Sequence, residues 1–155
     1  MTLDLEHPTG AADGALVARG SINSGFVLYV KDGRLCFDYN AFHDHTLVTG
    51  GVPLASGRHQ VKLDVERDGD RSAGVTLSVD GEVTGQGRIP RLLRMLSSTG
   101  MDLGRSLAPV TGDYEAPFDY PGTIHSVVFE LPGRRTEQDR AAEAEAQARA
   151  AMTRQ

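Results

Sequence analysis

Leu28-Tyr-Val-Lys-Asp-Gly-Arg34 carries the strongest fold signal in this chain, and Leu77-Ser-Val-Asp-Gly-Glu82 nearly repeats it. In each stretch an apolar alternation runs into Asp-Gly and resumes beyond it. Asp-Gly supplies the positive-φ positions that a two-residue hairpin turn needs, so each stretch predicts a pair of antiparallel strands. The sequence therefore predicts an all-β fold, specifically an antiparallel sandwich.

Further strand candidates follow one another at short intervals. Val61, Leu63 and Val65 alternate with charged residues, which is the period-two pattern of a strand with one solvated face. Regular short strands with glycine-rich turns favour a sandwich or barrel over alternating strands and helices. The candidates span residues 15–19, 26–31, 34–40, 46–49, 59–67, 74–80, 82–88 and 122–131.

The chain divides into three parts by composition. Residues 1–14 are polar and punctuated by glycine and proline, which predicts an irregular lead-in. Residues 15–132 form the predicted sandwich; within them, 89–121 read as a long ordered loop with one short strand near 101–104. Residues 133–155 form a tail of different character.

The tail has the pattern of a helix. Thr136 and Asp139 resemble a capping box, with Asp in place of the usual Glu or Gln, and Glu145 can pair with Arg149. A narrow alanine stripe lies at helical spacing, at Ala141, Ala144, Ala148 and Ala151. Two interpretations are open: a solvated helix, or a helix that needs a partner surface.

Composition excludes several classes of function. The net charge is −5 and no basic stripe is present, so we expect no nucleic-acid partner. The first residues lack the basic and apolar regions of a secretion signal, and no run is long enough to span a membrane. We therefore expect a cytoplasmic protein without a membrane partner.

The single cysteine, Cys36, excludes an intrachain disulfide. In its strand it shares a face with Asp38, opposite Leu35, Phe37 and Tyr39. We expect Cys36 to be a free, unreactive thiol in a strand, because the sequence indicates no neighbouring base that would activate it as a nucleophile.

Asp64, Glu66 and Asp68 form the most catalytic-looking pattern. Carboxylates two residues apart on a strand project from one face at a spacing of about 7 Å, near what glycoside hydrolysis needs. Against this, Gly69-Asp70 ends the strand at once, and the chain has no Trp to line a sugar cleft. A solvated strand face that leads into a turn is the favoured interpretation.

Metal chemistry has two weak candidates. His43 and His45 flank Asp44, but a zinc site needs a third ligand, so a polar loop is favoured. Asp113, Glu115 and Asp119 offer oxygen donors of the kind calcium uses, without a recognisable spacing. His125 lies on the last strand, where strict alternation places it on one face with Val127 and Phe129, and an edge role with a satisfied ring is expected.

The order of short motifs from residue 15 to residue 131 resembles the C-terminal domain of bacterial arylsulfatases. The earlier motifs are Ala18-Arg-Gly20, Gly25-Phe-Val-Leu-Tyr-Val-Lys-Asp-Gly33, Pro53-Leu-Ala-Ser-Gly-Arg-His59 and Gly87-Arg-Ile-Pro-Arg91. The most specific are Asp102-Leu-Gly-Arg105, Pro109-Val110, Asp113-Tyr-Glu-Ala-Pro-Phe118 and Gly122-Thr-Ile124. The resemblance covers most of the predicted sandwich.

The resemblance implies a jelly-roll sandwich of the concanavalin A-like or laminin-G-like kind, followed by a helix. It implies that the catalytic part of the enzyme, which carries formylglycine and calcium, is absent here, because Cys36 precedes Phe-Asp-Tyr and not the Cys-x-Pro-x-Arg motif. No catalytic residue and no cofactor are therefore expected in this chain. The implied role of Asp102, Gly104, Arg105, Pro109, Asp113, Tyr114, Pro117 and Phe118 is to fix a loop by packing.

The best-matching segment departs from the family at two positions. The family usually reads Gly-Arg-Asp-x-Gly-x-Pro-Val, whereas this chain has Ser106 and Ala108 in place of the Asp and the Gly. If the family's Asp anchors the loop or touches an ion, that contact is lost here.

These observations lead to one hypothesis and two alternatives. The leading hypothesis is a non-catalytic accessory sandwich that packs against a sulfatase catalytic domain or against a second copy of itself. The first alternative is a stand-alone jelly roll that binds carbohydrate, for which an exposed aromatic cluster of Tyr39, Phe42 and Tyr120 would be the signature. The second is a glycosidase built on Asp64, Glu66 and Asp68.

Overall fold

The computed structural model describes residues 1–10, 12–68, 71–94 and 99–130. These residues form ten strands and no helix, as the alternating sequence predicts. The strands are β1 (Thr2–His7), β2 (Gly14–Ser21), β3 (Ser24–Lys31), β4 (Arg34–Ala41), β5 (Asp44–Pro53), β6 (Gly57–Arg67), β7 (Ala73–Val79), β8 (Glu82–Ile89), β9 (Met101–Leu103) and β10 (Thr123–Val128). The predicted helical tail, residues 133–155, lies outside the described residues, and so does the end of the last strand candidate.

The strands build two five-stranded antiparallel sheets. Sheet A has the order β10-β1-β6-β7-β8, and sheet B has the order β5-β4-β3-β2-β9. Apolar side chains from the facing sides of both sheets form one core. Its largest fully buried members are Phe37, Leu3, Leu5, Leu16, Leu28, Leu35, Leu77 and Ile89. The prediction of an all-β sandwich is confirmed.

Both Asp-Gly hairpins are present. Asp32 and Gly33 have φ values of 49° and 70°, and Lys31 pairs with Arg34 across the turn. Asp80 and Gly81 have φ values of 52° and 85° between β7 and β8. Two consecutive positive φ values define the hairpin turn whose twist matches that of the strands, and Asp-Gly is its preferred sequence.

A third hairpin has the same turn conformation but lacks the Asp-Gly sequence. Phe42 and His43 connect β4 to β5 with φ values of 57° and 71°. Bulky side chains rarely adopt this conformation. The side chain of Asn40 supports the turn, since its Oδ1 accepts a hydrogen bond from the His43 N–H at 2.7 Å.

The prediction of an irregular lead-in over residues 1–14 is wrong for residues 2–7. These residues form β1, a strand inside sheet A between β10 and β6. Leu3, Leu5 and His7 point into the core, whereas Asp4 and Glu6 lie on the outer face. The period-two pattern was present in the sequence, and β1 belongs to the sandwich.

The two lateral sides of the sandwich differ. On one side β8 and β5 lie close together. Glycine permits this approach, since a Cβ at Gly85 would lie 2.9 Å from the Thr49 carbonyl oxygen and a Cβ at Gly87 would collide with the Val48 side chain. On the other side β9 and β10 flank an open cleft of about 440 Å³, lined by Leu103, Gly104, Tyr120, Gly122, Ile124, His125, Ser126 and Val127. One side is sealed and the other is open.

No helix among the described residues is long and apolar enough to span a membrane.

Candidate functional site

Most of the specific motifs that resemble arylsulfatases lie in a loop over the outer face of sheet B. We call residues 104–120 the covering loop. Its two ends are joined, because Ser106 and Phe118 exchange two backbone hydrogen bonds at 3.2 and 3.0 Å. The Gly104 N–H also donates to the Leu16 carbonyl, and the Tyr120 N–H donates to the Gly104 carbonyl. The loop is therefore closed on itself and tied to β2.

The covering loop buries a second apolar cluster. Val110, Tyr114 and Phe118 pack against side chains that sheet B presents on its outer face, namely Ala15, Ala18, Val27, Tyr29 and Cys36. The Tyr114 ring stacks on Phe118 at a centroid distance of 4.5 Å and lies 5.7 Å from the Tyr29 ring. Sheet B is thus covered on both faces, which explains why the middle strands are buried nearly continuously.

The Tyr114 hydroxyl organises the interior of the loop. Ser106 is fully buried, and its Oγ donates to the Ala108 carbonyl at 2.7 Å. Because that hydrogen is used, the 2.9 Å contact between Ser106 and Tyr114 must be donated by the tyrosine. The Tyr114 oxygen in turn accepts from the Val110 N–H at 3.2 Å. Burial raises the pKa of Tyr114, so its hydroxyl keeps the proton that this network uses.

Three charged residues of the predicted set, Asp102, Arg105 and Asp113, also make contacts that hold the segment in place. The Asp102 carboxylate accepts from the Leu107 N–H at 3.0 Å, and the Asp113 carboxylate accepts from the Tyr29 hydroxyl at 2.7 Å. Arg105 pairs with Asp119 at 3.3 Å on the exposed rim. Gly104 has a φ of 71°, and Pro117 follows a cis peptide bond. Burial, followed by the hydrogen bond to Asp113, raises the pKa of Tyr29.

The departure from the family motif at position 106 has a structural role. Ser106 contributes one donor and one acceptor to a fully buried site, and both are used. A carboxylate at this position would face the Ala108 carbonyl without a proton to donate. In this chain the serine itself anchors the loop.

A polar group lies beside the covering loop on the outer face of sheet B. The buried Asp38 carboxylate bonds His45 Nδ1 through Oδ2 at 2.9 Å, and its Oδ1 has no hydrogen-bond partner among the described residues. Asn40 is fully buried and donates through Nδ2 to the Ile22 and Val110 carbonyls. These contacts join the β2–β3 turn, β4, β5 and the covering loop.

Cys36 lies under the covering loop, on the face that it was predicted to share with Asp38. Its sulfur lies 3.9 Å from the Thr49 hydroxyl and 3.6 Å from the Arg34 carbonyl. Burial raises the pKa of the thiol, which keeps it protonated near neutral pH. The environment is that of a packed side chain.

Two of the three carboxylates of the glycosidase alternative form ion pairs with different basic residues. Asp64 pairs with Lys62 at 2.9 Å on β6, whereas Asp68 lies beyond the strand and pairs with Arg88 at 2.8 Å. The bonds from Arg88 and Ser72 lower the pKa of Asp68 to about 2. A general acid for glycoside hydrolysis needs a raised pKa. The third carboxylate, Glu66, lies on β6 with Asp64 and is exposed to solvent.

The metal candidates are also dispersed. His45 bonds Asp38, while His43 lies in the strained turn beside a cleft of about 350 Å³ that Arg91 and Tyr39 also line. Within residues 1–10, 12–68, 71–94 and 99–130, no three histidine, cysteine or acidic side chains come together as a metal site would require. Asp113 and Asp119, two of the three oxygen donors considered, are engaged with Tyr29 and Arg105.

The last strand contains an irregularity that the sequence did not indicate. On β10, Ile124 pairs with Leu5 and Ser126 pairs with Asp4, so His125 is an extra residue in the strand. The predicted common face of His125 and Val127 is therefore wrong. Ile124 and Val127 both pack toward the core, while His125 lies on the outer side, 3.7 Å from the Glu6 carboxylate.

Comparison with known proteins adds no relative: no family model, no curated protein and no solved structure matches this chain. The resemblance to arylsulfatases therefore rests on the residues quoted from the sequence alone.

Proposed function

We propose that this chain is a non-catalytic accessory domain of the arylsulfatase type, a jelly-roll sandwich that packs against a sulfatase catalytic domain. The proposal is supported by the hydrogen bonds of three residues in the motifs that resemble arylsulfatases. The Asp102 and Asp113 carboxylates link the covering loop to β9 and β3 of sheet B. The Tyr114 hydroxyl joins Ser106 to Val110 within the loop. A loop held in this way presents a fixed surface to a partner.

The rim of the covering loop is the surface we assign to docking. Leu107 is 60% exposed and is the large apolar side chain that the covering loop leaves in solvent. The exposed Arg105–Asp119 ion pair begins two residues before it in the chain. An exposed apolar side chain next to charged groups is typical of a protein contact. The partner would be the α/β domain that carries the catalytic motif in that family.

A binding experiment tests the proposal. The full chain is titrated into a bacterial arylsulfatase that has been truncated before its own C-terminal domain, and complex formation is followed by calorimetry. We expect a one-to-one complex that Leu107→Asp weakens by about tenfold or more. Val83→Asp is the matched control, since Val83 is equally exposed, at 59%, but lies on β8. Equal effects of the two substitutions, or no complex, would refute the proposed surface.

The carbohydrate-binding alternative lacks its expected signature. Tyr39 and Tyr120 are buried at 5% and 7% exposure, with their hydroxyls bonded to the Leu93 N–H and to His7. Only Phe42 of the three aromatic residues is exposed. A stacking platform for a sugar ring needs an exposed aromatic face, so these three residues do not favour this function.

A further inference from the structure

The strand β10 is an outer strand of sheet A, and apart from the bulge at His125 its edge carries no protecting residue. Among the described residues its one neighbouring strand is β1. Native proteins guard such edges with charged residues or proline, because an unpaired row of backbone groups is a template for another strand. Thr123–Val128 contains neither.

The other three outer strands carry these protecting residues. β8 contains Glu82 and Arg88, β5 begins with Asp44 and ends with Pro53, and β9 is only three residues long and contains Asp102. On the sealed side, β8 and β5 are also close to each other. The difference singles out β10 as the edge open to pairing.

The burial pattern of β10 reads the same in both directions. From Thr123 to Val128 the side chains are exposed, half-buried, exposed, exposed, half-buried and exposed. The extra residue His125 causes this symmetry, because it places both Ile124 and Val127 on the core side. A strand without the extra residue would put positions 124 and 127 on opposite faces.

We propose that two copies of this chain associate through β10 about a two-fold axis that passes between His125 and Ser126. In this antiparallel register Ile124 lies opposite Val127 of the second copy, and Thr123 lies opposite Val128. Each core-side residue meets a core-side residue, and each outer residue meets an outer one. A register shifted by one residue would place Ile124 opposite Ser126 and lose this match.

Charge and apolar surface agree with self-association. An isologous contact places identical surfaces together, so any net charge on the strand would repel its own copy, and β10 holds no acidic residue, lysine or arginine. Leu103, which lines the open cleft, is 52% exposed, and Val128 and Phe129 at the end of β10 are 51% and 45% exposed. The second sheet edge would extend sheet A and cover the cleft of both copies.

The expected dimer is weak. Six residues of strand bury less than the roughly 1,200 Å² of a standard stable interface, so we expect a dissociation constant on the order of ten micromolar. This proposal does not depend on the arylsulfatase relationship, since it uses only the edge of sheet A.

Sedimentation equilibrium of the full chain from about 1 to about 500 µM tests the proposal, with amide hydrogen exchange of residues 123–128 at both extremes. We expect the mass to rise toward two chains and the exchange of the edge amides to slow with concentration. Ser126→Lys, which places an ammonium near its own copy, should weaken association by about tenfold or more. Val128→Lys gives a second, independent perturbation at an exposed site.

Gln86→Lys on β8 is the matched control, because it adds the same charge to an exposed position on the opposite edge of the same sheet. It should leave the dissociation constant within about twofold. A monomer at every concentration would overturn the proposal, as would a dimer that both β10 substitutions leave unchanged. Slow exchange of the edge amides that is independent of concentration would also overturn it, since another part of the chain would then cover the edge.

Discussion

Tyr114 donates its hydroxyl hydrogen to the Oγ of Ser106 across 2.9 Å, and this bond closes the interior of the covering loop. The direction is fixed because Ser106 spends its own hydrogen on the Ala108 carbonyl. One phenol and one serine thus satisfy the buried Val110 N–H and the partly buried Ala108 carbonyl. Tyr114, a residue of the motif that resembles arylsulfatases, thus holds the covering loop together from within.

Tyr114→Phe should destabilise the fold by about 2 kcal/mol, because the Val110 N–H and the Ser106 Oγ lose their partner in a buried site. Urea denaturation measures the loss. Tyr39→Phe is the comparison, since the Tyr39 hydroxyl accepts a single bond from a partly buried N–H, and it should cost about 1 kcal/mol. A cost for Tyr114→Phe below that of Tyr39→Phe would show that the hydroxyl does not hold the loop.

Gly85→Ala should destabilise the protein by about 1–3 kcal/mol, because the new Cβ would lie 2.9 Å from the Thr49 carbonyl oxygen and force β8 away from β5. Gly74→Ala is the matched control on the neighbouring strand β7, where a Cβ meets no atom within 4 Å. Because alanine restricts the unfolded chain, this control should be neutral or stabilising. Thermal unfolding of both variants makes the comparison, and equal destabilisation would contradict a sealed side built on glycine.

Replacing Phe42-His43 with Asn-Gly should stabilise the fold by about 1–2 kcal/mol. Both residues sit at positive φ in a hairpin turn that Asn-Gly adopts without strain. Asn40 remains to accept the bond from the N–H of position 43. Chemical denaturation of the double variant checks this, and a loss of stability would mean that the two native side chains contribute more than the strain they impose.

His7 should make stability fall on mild acidification. The ring is 3% exposed and bonds the Tyr120 hydroxyl at 2.9 Å, and burial lowers the pKa of His7 below its ordinary value. The unfolded chain therefore binds a proton at this site more readily than the folded one. The contribution is fully present above about pH 6.5 and is lost as the pH falls through the lowered pKa.

His7→Gln tests this pH dependence. Unfolding free energies at about pH 7.5 and about pH 5.5 should differ less in the variant than in the parent chain, because glutamine does not titrate. The other histidines are common to both proteins and cancel in the comparison. If the variant lost as much unfolding free energy on acidification as the parent chain, or more, another titrating group would cause the pH dependence.

The local sequence predicted the strands well where turn-forming residues such as Asp-Gly joined them. Asp32-Gly33 and Asp80-Gly81 give the hairpins they predict, and the faces of Cys36 and Asp38 follow from strict alternation. The strand β1 was missed although Leu3, Leu5 and His7 alternate with polar residues, because nearby glycine and proline outweighed a six-residue pattern. The turn at Phe42-His43 depends on Asn40, which no local rule reveals.

Long-range features could not be read from the sequence in the same way. The burial of both faces of sheet B depends on a loop some 70 residues distant from β4, as the bond between Asn40 and Val110 shows. The bulge at His125 reverses the expected faces of β10 and is defined only by its pairing with β1. Of the candidate site, the sequence indicated the packing role of Tyr114 but not its partners.

We propose that this chain has no sulfatase activity of its own. Incubating the full chain at high concentration with 4-nitrophenyl sulfate, and measuring release of 4-nitrophenol, tests it most directly. The account predicts the rate of the buffer alone, because Cys36 is buried, with a raised pKa, and lies outside the family's catalytic motif. Turnover that follows the purified chain and disappears on its denaturation would contradict the account.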